Sequence, residues 1–187
     1  MKRKKMILDS DMGWDDVLST LYLMKRPDIE IVGVTVTGCG ETDLRWGKII
    51  ALTLMELGNQ TQAQVSIGTS TPLKYDHVFP KTFKYDMNDI MGLLGSLNPE
   101  LNLKFDRRPA WQYLSETLND ADEEITILAL GGFTNIAKMM IEFPGTKLEK
   151  IKEIYTMAGA VFVDGNVAAL NNAKKDWNQG PIYATNY

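Results

Sequence analysis

Ile7-Leu8-Asp9-Ser10-Asp11-Met12-Gly13-Trp14-Asp15-Asp16 places four carboxylates within eight residues, directly after a short apolar run. Charges packed this closely repel one another unless a cation, protons or deep solvation relieves them. Lys5 to Leu8 reads as a short buried strand, and Asp9 and Asp11, two residues apart, project to one side if the extended chain continues through them. Gly13 then permits a sharp turn. Asp15 and Asp16 fall in the first turn of an amphipathic helix, where the positive end of the helix favours anions. Val17, Leu18, Leu21, Tyr22 and Met24 supply its apolar face. Strand, acidic loop and helix in this order place the carboxylates at the carboxyl end of a strand, where open α/β sheets bind ligands. A solvated loop with an Asp N-cap explains less, because capping needs one Asp and this loop carries four.

The same alternation continues along the chain. Ile29 to Thr37 is rich in β-branched residues and runs into Gly38-Cys39-Gly40, the mark of a second buried strand entering a tight loop. Leu44 to Leu57 has helical spacing and stops at Gly58. Val65 to Gly68 is a short strand. Trp111 to Leu118 reads as helix, Ile125 to Leu130 as strand, Thr134 to Glu142 as helix and Ile154 to Ala158 as strand. Between residues 69 and 109 the pattern weakens at Pro72, Pro80, Pro99 and Pro109, with a short helix expected over Met87 to Leu94. Excursions of this length often cover a site. The fold implied is a single α/β domain over residues 1–187: a mostly parallel, doubly wound (Rossmann-like) open sheet with helices on both faces. From about residue 165 the chain becomes polar and irregular, so the sheet reads as truncated at the C-terminus, lacking the cover its last strand needs.

Composition sets wider bounds. The 187 residues, 44% of them hydrophobic, suffice for one good core. A net charge of −4 without a basic cluster beyond Lys2-Arg3-Lys4-Lys5 argues against nucleic acid. No apolar stretch is long enough to span a bilayer, and Met6-Ile7-Leu8 is too short for a secretory core. The single cysteine, Cys39, excludes an internal disulfide framework. A cytoplasmic location is therefore expected, unless an export signal was removed by cloning. Self-association into a homo-oligomer is expected from the uncovered sheet.

Four blocks then carry a resemblance. Asp9-Ser10-Asp11-Met12-Gly13-Trp14-Asp15-Asp16 is similar to the DxDxGxDD signature of the inosine-uridine-type nucleoside hydrolases. Val34 to Glu41 (VTVTGCGE), Leu128 to Ala137 (LALGGFTNIA) and Met157 to Val167 (MAGAVFVDGNV) resemble later blocks of the family in the same order. The resemblance implies an enzyme that splits the N-glycosidic bond of a nucleoside substrate into ribose and free base, with bound calcium (Ca2+). Position by position, Asp11 matches a calcium ligand that is also the general base, Asp16 a calcium ligand, and Asp15 a binder of ribose hydroxyls. The carbonyl of Leu130 falls on a main-chain ligand and Asn166 on a sugar-contacting asparagine. Asp9 supports the site, and Glu41, outside that correspondence, is kept as a further candidate supporting group. The family's AE(F/W)N segment is matched by Asp176-Trp177-Asn178, with a longer spacer and Asp for Glu, or lies beyond Tyr187. A later Asp preceded by a histidine has no counterpart, so the calcium shell is expected to be incomplete and hydrolysis weak or absent. The Gly38-Cys39-Gly40-Glu41 form and the excursion resemble a divergent branch.

Carboxylates near the sugar suit a reaction that passes through a ribosyl cation, and calcium takes carboxylate, carbonyl and hydroxyl oxygens in a flexible shell. Two other readings stay open on the residues. One is a haloacid-dehalogenase-type phosphatase using Asp9 and Asp11 with magnesium, which leaves Asp15 and Asp16 idle. The other is a non-catalytic nucleoside- or sugar-binding remnant. His77, the sole histidine, is assigned to the surface or a lid. Cys39 is assigned to packing, and Trp14 to packing ahead of ligand stacking. The ten methionines are core fillers.

Overall fold

A computed structural model describes residues 2–60, 62–74, 81–90 and 105–158. Six parallel strands form one sheet in the order β4-β3-β2-β1-β5-β6. They are β1 (Lys4–Ser10), β2 (Ile29–Val36), β3 (Gln64–Ile67), β4 (Phe105–Asp106), β5 (Ile125–Ala129) and β6 (Ile151–Thr156). The helices between them are α1 (Trp14–Met24), α2 (Leu44–Leu57), α3 (Lys81–Asn88), α4 (Ala110–Asn119) and α5 (Thr134–Glu142).

β1 is central, and its alternating side chains feed two cores. Met6 and Leu8 join Val17, Val34, Ile50, Leu54 and Val65 on the face covered by α1 and α2. Ile7 joins Leu114, Leu118, Ile127, Ile136 and Met139 on the face covered by α4 and α5. Burial on both sides is what a parallel strand in a doubly wound sheet requires. The chain builds outward from β1 to β4, then returns to place β5 on the other side of β1. This reversal of strand order makes the carboxyl ends of β1 and β5 the topological switch point. The acidic loop leaves β1 there.

Several expectations are corrected. The positive φ in the acidic loop, 59°, belongs to Met12 and not to Gly13. Met12 is buried and its N–H donates to Ser10 Oγ at 2.8 Å, so tertiary contacts hold a conformation that local sterics disfavour. Leu18 and Tyr22 are 56% and 62% exposed, on a stripe beside the buried Val17 and Thr20. Trp14 is half exposed and does not pack into the core. The helix of the excursion is α3, earlier than the expected Met87 to Leu94, whose end lies outside the described residues. Phe105 and Asp106 pair with Val65 and Ser66, so the excursion returns as an edge strand of the same sheet. β6 starts three residues ahead of the expected Ile154 to Ala158, since Ile151 pairs with Ile125. The irregular tail and most of the Met157 to Val167 block lie outside the described residues.

Candidate active site

The site grows from the carboxyl end of β1. Asp9 stands opposite Thr35 of β2 and Ala129 of β5. Its Oδ1 accepts from Thr35 Oγ1 at 2.6 Å and from Asn135 Nδ2 at 2.8 Å, while its Oδ2 is buried without a partner. Burial pushes the Asp9 carboxyl up to about 6, against the pull of those two hydrogen bonds. Its main-chain oxygen accepts the N–H of Leu130 at 2.8 Å, which ties the ends of β1 and β5 together. Gly131 makes that junction close: an added Cβ would stand 2.8 Å from the Asp11 nitrogen.

Asp11 is buried just beyond the strand. Its Oδ2 accepts the Glu41 N–H at 2.6 Å, and its carbonyl accepts the Thr42 hydroxyl. Both donors come from the loop after β2. Gly40 lets that loop approach, for a Cβ there would fall 1.7 Å from Asp11 Oδ2. Asp16, in the first turn of α1, is also buried, and Ser10 Oγ donates to its Oδ2 at 2.5 Å. The Asp11 and Asp16 carboxyls interact as a hydrogen-bonding pair, and burial raises both. Burial, and next the charge of Asp11, raise Asp16 to about 9. Burial raises Asp11 as well, opposed by hydrogen bonds from Asp16 and Glu41.

Glu41 turns its half-buried carboxylate toward this pair. Burial first, then the charges of Asp11 and Asp15, push it up to about 7. Gly13 leaves room for it, since a Cβ there would lie 2.5 Å from Glu41 Oε2. Asp15 is exposed at the mouth. The structure thus brings Asp9, Asp11, Asp16, Glu41, Asp15 and the Leu130 main chain to one end of the sheet. Asn166, Asp176, Asn178 and His77 lie outside the described residues. Cys39 is half buried, with its Sγ 3.5 Å from Thr134 Oγ1 and 3.6 Å from the Thr69 carbonyl, a packing position.

Sequence reading missed Ser10, Thr35, Thr42 and Asn135, the neutral groups that hold the acids. The threonines ending VTVT and the Thr-Asn opening α5 were the available signal. The donor set is all oxygen, and the charges bearing most on Asp11, Asp16 and Glu41 are one another's and that of Asp15. Such a set suits a hard divalent cation. Among the described residues no three His, Cys, Asp or Glu side chains gather closely enough to hold an ion, and one held by Asp11 and Asp16 would draw its remaining oxygens from other groups.

Comparisons with known proteins identify relatives of the chain. Uridine nucleosidase 1 of Arabidopsis thaliana is 33% identical over 166 residues, covering 89% of this chain and 48% of the relative. The probable uridine nucleosidase 1 of Oryza sativa subsp. japonica is 31% identical over 166 residues, covering 89% and 50%. The inosine-uridine preferring nucleoside hydrolase from Bacillus anthracis superposes with a TM-score of 0.73 at 25% identity, over 88% of this chain and 53% of that one. The chain spans about half the length of the curated relatives it matches. Nothing in these likenesses supports the phosphatase alternative, which also left idle the Asp16 that lies buried beside Asp11. The family model for inosine-uridine preferring nucleoside hydrolase matches residues 6–179, and the chain belongs to that family.

Proposed function

We propose that this chain acts in hydrolysis of the N-glycosidic bond of nucleosides, giving ribose and free base, with calcium as the metal. The observation that carries the reading is the buried Asp11–Asp16 pair at the switch point of the sheet, faced by Glu41 and open to solvent at Asp15. Asp11, Asp16 and the Leu130 carbonyl would hold the ion. Calcium, when bound, supplies positive charge that acidifies a bound water and gathers the ribose diol.

The remaining work falls to this chain's own groups. The Glu41 N–H fixes one oxygen of Asp11, which orients the carboxylate to take a proton from the attacking water. Asp15, reachable at the mouth, accepts from ribose hydroxyls. The negative charge of the cluster opposes the positive charge that develops on the sugar as the base departs. Asp9 supports the floor by joining β1 to β2 and α5 through Thr35 and Asn135. Asn166, Asp176 and Asn178 belong to the same proposal as sugar contacts. So do a cytoplasmic location and a homo-oligomer; among the described residues no helix is long and apolar enough to cross a membrane.

Ribose release from uridine and inosine, with calcium and with a chelator, tests the reading. Slow release that needs calcium and is lost in Asp11→Asn is expected. Release indifferent to calcium or to Asp11 would overturn it, and calcium-dependent thermal stabilisation by ribose without turnover would reduce the chain to a binder.

A further inference from the structure

The excursion reaches back to the site through one buried cation. Lys84 of α3 is only 8% exposed. An ammonium taken out of water needs partners, and Lys84 Nζ finds them in the carbonyls of Gly38 and Thr42, each at 3.0 Å, and in the Asp43 carboxylate at 3.4 Å. Gly38 and Thr42 bracket the segment of the arch that presents the Glu41 N–H to Asp11. Thr42 itself donates its hydroxyl to the Asp11 carbonyl. One turn further along α3, on the same face, Asn88 receives the Asp43 N–H at 2.8 Å and donates to the Asp43 carboxylate at 2.9 Å.

We infer that α3 is a strap over the Gly38–Asp43 arch, and that Lys84 is a positioning residue which sets Asp11 by holding both feet of that arch. The ammonium gathers the two carbonyls, and the arch so closed keeps the Glu41 amide pointed at Asp11 Oδ2. Lys84 touches neither Asp11 nor the space in front of it. Its effect passes through the main chain of residues 38–42. The consequence for metal affinity rests on the calcium reading above; the consequence for the arch does not.

The test compares the wild-type chain with Lys84→Met, which keeps length without donors, and Lys84→Arg, which keeps donors. Amide hydrogen exchange is followed by NMR without metal. The Glu41 amide is expected to exchange about tenfold faster or more in Lys84→Met, while the Leu8 and Ile127 amides in the central strands keep wild-type rates. Lys84→Arg should restore part of the protection. Unchanged Glu41 exchange, or acceleration shared equally by Leu8 and Ile127, would overturn the inference, the second because it marks general loosening. Should Lys84→Met fail to fold, Asn88→Ala, which removes the second tie between the strap and Asp43, must show the same selective acceleration. In a parallel arm, calcium affinity measured by calorimetry should weaken about tenfold in Lys84→Met. Equal affinity in the two proteins would count against the strap. Failure of the wild type to take calcium would count against the metal reading, leaving the exchange arm to decide the strap.

Discussion

Gly40→Ala probes how tightly the second loop is fitted to the first acid. The added Cβ would fall 1.7 Å from Asp11 Oδ2, 2.5 Å from its Cγ and 2.8 Å from its Cβ. Ordinary carbon contacts need about 3.5 Å or more, so either the arch retreats or the Asp11 carboxylate swings away. In both cases the 2.6 Å bond from the Glu41 N–H is broken. A hydrogen bond to a charged group contributes about 1.5–3 kcal/mol, which corresponds to roughly a 10- to 150-fold change in an equilibrium constant. Calcium affinity should fall by that factor, and stability against urea should fall by about 1–3 kcal/mol. Gly145→Ala is the control, since nothing lies within 4 Å of a Cβ added there; it should leave both measurements unchanged. Calorimetric titration with calcium and equilibrium urea unfolding read the two quantities. A Gly40→Ala protein that binds calcium and unfolds like the wild type would refute the close fit of arch and acid.

Two further outcomes follow from the buried acids. Asp9 and Asp16 are raised to about 6 and about 9, so between the unfolded carboxylate range and those values the folded state holds more protons than the unfolded one. Their contribution to stability is complete below about pH 4 and is lost as pH rises through 6 and then 9; the acids held below their usual range, Asp28, Asp106, Glu116 and Glu123, are partly exposed and lose their contribution only as pH falls below the ordinary carboxylate range, outside this window. Urea unfolding of metal-free protein should therefore show stability declining from pH 5 to 9, with Asp16→Asn flattening the upper part, and a flat wild-type profile would contradict the assignment. Asn135→Ala should cost about 1–3 kcal/mol, because it strips a donor from the fully buried Asp9; an undiminished urea midpoint would show that Asp9 does not depend on it.

Much of the fold was legible because its elements obey local rules. The α2 helix lies between Asp43 and Gly58 as spacing and punctuation suggested, and the central strands announce themselves by β-branched runs buried on both faces. The α3 helix lies earlier in the chain than expected because Lys-Thr-Phe-Lys-Tyr-Asp-Met-Asn offers only Phe83 and Met87 at helical spacing, and its Lys84 anchor is charged. β4 is two residues long and exists by pairing with β3, which no local pattern records. In the site, the acids were visible as an improbable density of charge. Their neutral partners were not: Thr35 and Asn135 stand 26 and 126 positions from Asp9, and only the parallel register of β1 with β2 and β5 brings them together. The turn at Met12 was misplaced onto Gly13 because burial and the Ser10 hydroxyl override the backbone preference that favours glycine.

The central claim is that Asp11 and Asp16 share a proton until a divalent cation replaces it. Burial and the charge of Asp11 raise Asp16 to about 9 and so favour its protonated form at pH 7; on this account calcium displaces that proton to use both carboxylates. Calorimetric titration with calcium at pH 7, repeated in buffers of different ionisation enthalpy, counts the protons released. Release of about one proton per ion is predicted, falling toward zero in Asp16→Asn along with affinity. Binding without proton release, or binding of equal strength in Asp16→Asn, would contradict it.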